Sequence, residues 1–190
     1  MLVSMDGLLN ERYFDISRDV HGCEDYTVES GFLNEANDQL LLESTFLSHC
    51  SQDMEDVISV FSYLRSNYRE DVYIDKIDKN LPKFTNSNTA QILKKQIQKC
   101  RKFILVVTRN SKDSCWIPWE LGYADGVKSI ENIAIFPCNN SPYDAIDNSW
   151  AGQEYLGLYP RIVFSGLAPE LKVLFPKSNK KKMLGRWLSE

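Results

Sequence analysis

Trp116 and Glu120 stand four residues apart in the stretch Ser114-Cys115-Trp116-Ile117-Pro118-Trp119-Glu120-Leu121-Gly122-Tyr123. The stretch follows the apolar run Phe103-Ile104-Leu105-Val106-Val107, which reads as a buried strand, and itself reads as a helix start. Residues i and i+4 share one helix face. An indole and a carboxylate therefore look into the same crevice at a strand end. The indole can wall a flat ring, and the carboxylate can stabilise a developing positive charge. Glycosyl chemistry needs little more, because its transition state resembles an oxocarbenium ion. The competing reading makes Trp116 a core residue and Glu120 a first-turn acid favoured by the helix dipole.

The elements that position this pair alternate regularly. Leu40 to Leu47 predicts a buried strand. Asp53 to Tyr68 places Met54, Val57, Ile58, Phe61 and Leu64 at helical spacing. Asp71 to Ile74 predicts a second strand, followed by a loop over 75–88 with Asn88 as a helix cap. A helix is expected over 89–100, a strand over 102–108, a helix over 114–128 and a strand over 132–136. Residues 139–158 read as loop with a short helical turn, Arg161 to Phe164 as a fifth strand, and Pro169 as the start of a final short helix. Such alternation predicts a parallel sheet covered on both faces. Right-handed crossovers favour a flavodoxin-like, doubly wound α/β fold of five parallel strands in the order 2-1-3-4-5. Its switch point lies between strands 1 and 3, where the loop Ser48-His49-Cys50-Ser51-Gln52-Asp53 meets the loop leading to Trp116. Residues 1–38 read as a helical N-terminal extension, and 39–190 as the main domain with a C-terminal helix.

Several chemistries are disfavoured. No G-x-G-x-x-G follows strand 1, and no G-x-x-x-x-G-K-[ST] occurs. A phosphate-accepting receiver domain needs acids where this chain has Ser48-His49 and Thr108. Ser48 and His49, being adjacent, point to opposite sides of an extended strand, which is poor geometry for a Ser-His hydrolase. With two histidines and five cysteines at no C-x-x-C spacing, neither a metal centre nor a disulfide framework is signalled. The 190 residues are 43% hydrophobic and 25% charged, which is a globular composition. A net charge of −4 and a pI near 5.3 argue against nucleic-acid binding. The one basic cluster, Lys177, Lys180, Lys181, Lys182 and Arg186, reads as a solvated tail or the polar face of the last helix. No apolar run reaches the ~20 residues of a membrane helix. Together with unpaired thiols and no signal-peptide pattern, this predicts a cytoplasmic protein. What is left is Glu120 and a substrate whose leaving group needs no proton. The quaternary nicotinamide of NAD is such a group.

The chain resembles a Toll/interleukin-1 receptor (TIR) domain of the bacterial stand-alone type. It is similar to the NAD-processing TIR subunit of Thoeris-type anti-phage defence. Thr45 to Asp53 resembles the family's first strand and loop, with Cys50 in place of a usual serine. Asp71 to Asp75, with Leu81-Pro82, resembles its second strand and BB loop. Trp116 and Glu120 form its W-x-x-x-E signature. The resemblance implies that Glu120 is catalytic and that Ser48, His49, Asp75, Leu81 and Trp116 contact substrate. It implies NAD as substrate rather than cofactor, no metal, and release of nicotinamide with formation of ADP-ribose or a cyclic or conjugated ADP-ribose signal. It further implies self-association through the TIR domain and a separate effector that responds to the product. The alternatives are a non-catalytic TIR interaction module and a nucleoside N-glycoside transferase.

Overall fold

The structure, a computed structural model, describes residues 44–75, 87–138, 154–164 and 170–190. Strand β1 (Thr45–Ser48) leads into helix α1 (Met54–Tyr68) and the two-residue strand β2 (Val72–Tyr73). Helix α2 (Ser87–Lys99), strand β3 (Lys102–Val107), helix α3 (Trp116–Val127) and strand β4 (Ile133–Pro137) follow. A 3-10 segment over Glu154–Leu158 then precedes strand β5 (Arg161–Phe164). β1 pairs in parallel with β2 and β3, β3 with β4, and β4 with β5, which is the expected order 2-1-3-4-5.

The apolar runs are nearly continuous because both faces of the sheet are covered and alternate residues enter opposite cores. On one face Leu47, Ile104, Val106, Ala134 and Phe136 meet Val57, Val60 and Leu64 of α1. On the other, Phe46, Phe103, Leu105, Ile133 and Ile135 meet Leu93 and Ile97 of α2 and Ile117, Leu121 and Ala124 of α3. Pro118 is tolerated at the third residue of α3, within the turn whose amides have no helical acceptor. Asn88 lies in the first turn of α2, since that helix already includes Ser87.

Two expectations are corrected. Among the described residues the sheet has seven strands, not five. The segment after Pro169 is not helix: Leu171–Leu174 forms β6, antiparallel to β5, and Lys181–Met183 forms β7. The short final helix, α4, is Leu184–Ser189. Leu171 and Val173 face the core while Lys172 and Leu174 face outward, the period of two that defines a half-covered strand. The basic cluster is folded structure rather than tail. Lys181 and Lys182 lie on the edge strand, where lysines discourage pairing with another chain. Lys180 pairs with Glu131, and both Lys182 and Arg186 pair with Glu190. Residues 40–43 of the expected first strand, the N-terminal extension and most of the 75–88 loop lie outside the described residues.

Candidate active site

The carboxyl ends of β1 and β3 bring the sequence-selected residues together. Ser48 is the last residue of β1, and its hydroxyl donates to Glu120 Oε2 at 2.5 Å. α3 starts beyond the end of β3 and runs back along the sheet, which carries Glu120 under the β1 loop. Glu120 is not an exposed crevice acid: it is 4% exposed. Burial pushes its carboxyl up to about 8, against the opposing effect of the Ser48 hydrogen bond, and the Asp75 carboxylate adds to the rise. Burial therefore favours the protonated form of Glu120 near neutral pH. A cation arriving beside it would draw the proton off.

His49 is also buried. Its Nδ1 lies 3.2 Å from the Leu47 carbonyl, which can only accept, so Nδ1 carries a proton. Its Nε2 stands 3.6 Å from Asp75 Oδ1, beyond the reach of a direct hydrogen bond. Asp75 is the last described residue before the long loop, so His49 touches the point where that loop begins. Leu81, the remaining expected contact, lies outside the described residues.

Trp116 is half-buried, which fits neither a core residue nor a free one. Its ring meets Trp119 edge-on, with centroids 5.3 Å apart, and Trp119 stacks on Tyr123 at 6.1 Å. Lys94 of α2 lies 5.2 Å above the Tyr123 ring. The indole is thus braced from one side by its own helix.

A second polar group was not singled out as functional from sequence. Asp53 precedes α1 but makes no side-chain cap there. Its carboxylate reaches across to the loop after β3 instead, accepting from Thr108 Oγ1 at 2.5 Å and from Asn110 Nδ2 at 2.5 Å. The Ser111 hydroxyl accepts from the Thr108 amide at 2.9 Å. Asp53, Thr108 and Ser111 are all buried. This clamp ties the Ser48-His49 loop to the loop that launches α3. The signal in the sequence was a buried strand ending in Thr-x-Asn-Ser, opposite an acid at the end of the first strand's loop.

Among the described residues no cluster of His, Cys, Asp and Glu could hold a metal ion, and no helix is long and apolar enough to cross a membrane. Residues 45–158 match the family model described as TIR domain. The chain is also 36% identical over 166 residues to the probable 3' cyclic ADP-D-ribose synthase ThsB' of Bacillus cereus strain MSX-D12, spanning 85% of this chain and 82% of that relative. With a match of that extent, and Ser48 and Glu120 in contact at the switch point of the expected strand order, the chain belongs to the TIR domain family.

Proposed function

We propose that this TIR domain cleaves NAD at the nicotinamide–ribose bond and passes the ADP-ribosyl group to water or to an acceptor within the same molecule. The product is then ADP-ribose or a cyclic ADP-ribose signal, made in Thoeris-type anti-phage defence and read by a separate effector. The observation that carries this reading is Glu120, buried at the strand-end crevice and bonded to Ser48, in a chain 36% identical to a probable 3' cyclic ADP-D-ribose synthase.

The chemistry follows from the charges. The C1'–N1 bond breaks with its electron pair moving onto the pyridinium nitrogen, so nicotinamide leaves neutral and no acid is required. Positive charge then builds at C1' and O4' of the ribose. Glu120, ionised once the cationic ring is in place, faces that charge in a site of low dielectric, where it counts for more than in water. Ser48 holds the carboxylate by its Oε2. Trp116 supplies the flat wall that orients the leaving ring. Attack on C1' by water gives ADP-ribose, whereas attack by a nucleophile of the bound product closes a ring. Both outcomes release one proton.

Incubation of the purified chain with NAD, with products resolved by chromatography and mass, tests the proposal. Free nicotinamide with an equimolar ADP-ribose species is expected. NAD left intact at every protein concentration would favour a TIR module that only binds partners. Trp116→Ala should weaken NAD binding and change the ratio of cyclic to linear product. Because the indole is half-buried, the loss of stability should fall below the ~3–5 kcal/mol of a fully buried tryptophan. Melting temperature and product ratio measured on the same sample separate positioning from packing.

Self-association is part of the proposal. The connection between β2 and α2 spans Ile74 to Asn86, long against the ~2–6 residues usual for such units, and it leaves the sheet at the active-site end. Specific activity should rise with protein concentration if this loop completes a neighbour's site. Leu81→Gly with Pro82→Gly should blunt that rise by loosening the loop. Flat specific activity over roughly a hundredfold dilution, retained by the loop variant, would sink the idea.

A further inference from the structure

The end of the sheet opposite Glu120 carries a groove of about 520 Å3. It is lined by the residues that enter β4 and β5 and by the turn between β6 and β7. Its apolar lining includes Ile130, Leu158, Tyr159 and Phe175. Two of these are unusually open for aliphatic side chains: Ile130 is 43% exposed and Leu158 50%. The groove exceeds the ~150 Å3 that admits a benzene ring. Lys177 and Lys180 stand on its rim. Lys177 sits at φ 53, a left-handed conformation that a glycine or asparagine would hold at lower cost. Of the two acids in the lining, Asp125 and Glu131, the second is already paired with Lys180.

Charge is divided unevenly along the chain. Residues 1–43 contain ten Asp or Glu, two Arg and no Lys, a formal −8. The whole chain is −4, so residues 44–190 carry +4. The same acidic segment holds Leu8, Leu9, Tyr13, Phe14 and Ile16. It joins the domain at the correct end: Ser44 precedes β1, and its carbonyl accepts from the amides of Arg101 and Lys102, the residues that open β3. β1 and β4 are two strand spacings apart, about 10 Å, and β5 one more, about 15 Å. Four or five extended residues cover that distance at ~3.3–3.6 Å each. Four fully extended residues before Ser44 would nearly span that distance, and the chain has 43 residues on that side of Ser44.

We propose that residues 1–43 are the occupant of this groove, with apolar side chains over Ile130 and Leu158 and carboxylates against Lys177 and the neighbouring basic strand. The attachment is intramolecular, so its effective concentration is that of a short linker, in the millimolar range. Even modest apolar burial holds such a contact closed. The segment shields the aliphatic pair and offsets the charge of Lys177 without approaching Glu120.

A zero-length carbodiimide cross-linking experiment on the full chain tests this, using an equal mixture of unlabelled and nitrogen-15-labelled protein. Peptides joining an acid of residues 1–43 to Lys177 or Lys180 within one isotopic species are expected. The Lys180–Glu131 pair provides an internal control, since it lies at 2.7 Å. Leu158→Glu should cut the yield of those links roughly tenfold, the cost of losing one apolar anchor. Ile130→Ser is the second variant should the first melt early. The control link without any link to 1–43 would overturn the proposal. Links only between differently labelled chains would assign the groove to a second copy. Yields undiminished in both variants would reduce the contact to diffuse charge attraction, which also overturns it.

Discussion

Glu120→Gln should lose NAD turnover by on the order of 100-fold or more, about 3 kcal/mol of transition-state stabilisation, while folding more stably than the parent above neutral pH. The two effects share one cause. The carboxyl is buried among apolar residues and titrates near 8 in the folded chain, against an ordinary 4.5. Below pH 4.5 it is neutral folded or unfolded and contributes no difference. Between 4.5 and 8 the unfolded chain releases the proton and the folded chain keeps it, so stability falls as pH rises. Above 8 the loss is complete and constant. The amide has no proton to release. The melting temperatures of variant and parent should thus coincide near pH 4, diverge up to pH 8, and run parallel beyond it. Each tenfold difference in proton affinity is worth about 1.4 kcal/mol, and each kcal/mol about 2–4 °C in a chain of this size. A gap on the order of 10 °C or more at pH 9 is expected on that basis. The parent's kcat/KM should rise with pH up to about 8 and then level, as the ionised form becomes populated. Ser48→Ala, which removes a hydrogen bond that lowers the value, should move that limb upward. Melting curves that superimpose at pH 9, or a variant with parental turnover, would remove Glu120 from the role assigned to it.

Asp53→Ala should be the more damaging change to the fold. It strips the acceptor from a buried Thr108 hydroxyl and from the Asn110 amide at once. Two such losses should cost about 2–4 kcal/mol. Activity should fall with stability, because the same carboxylate holds the Ser48-His49 loop against the loop that starts α3. Asp53→Asn keeps one acceptor oxygen and should recover much of the melting temperature. If the clamp only stabilised, Asn would restore turnover in proportion. If it also positions Ser48, turnover should stay low at a temperature where the Asn variant is fully folded. Chemical denaturation and single-turnover rates on both variants decide the matter.

The sheet and its switch point were legible because the strands are buried on both faces. Phe103 to Val107 admits no polar residue, and the helices between strands carry clear apolar stripes, as in Leu93 and Ile97. Glu120 was legible by spacing and by motif, but its depth was not, since i,i+4 geometry states which face a residue takes and not what closes over it. The clamp was hidden for a similar reason: Asp53 stands where a helix cap is expected, and only the tertiary fold shows that its side chain turns away. The C-terminal hairpin was misread. Leu171-Lys172-Val173-Leu174 is too short for its alternation to outweigh a preceding proline, and Lys181–Met183 is a polar edge strand without an apolar signature. Its strand character comes from pairing with β6.

That hairpin and the helix after it bear on how the chain is made. Val57, Val60 and Leu64 of α1 share a core with Leu171, Val173, Leu184 and Trp187. Roughly 120 residues lie between Leu64 and Trp187, and at a ribosome's ~5–20 residues per second their synthesis takes about 6–25 s. For that interval the core that α1 forms with β1 and β3 lacks the part supplied by β6 and α4. A nascent chain stalled or cut before Leu171 would leave that core incomplete and open to chaperones and proteases rather than closed by its own last helix.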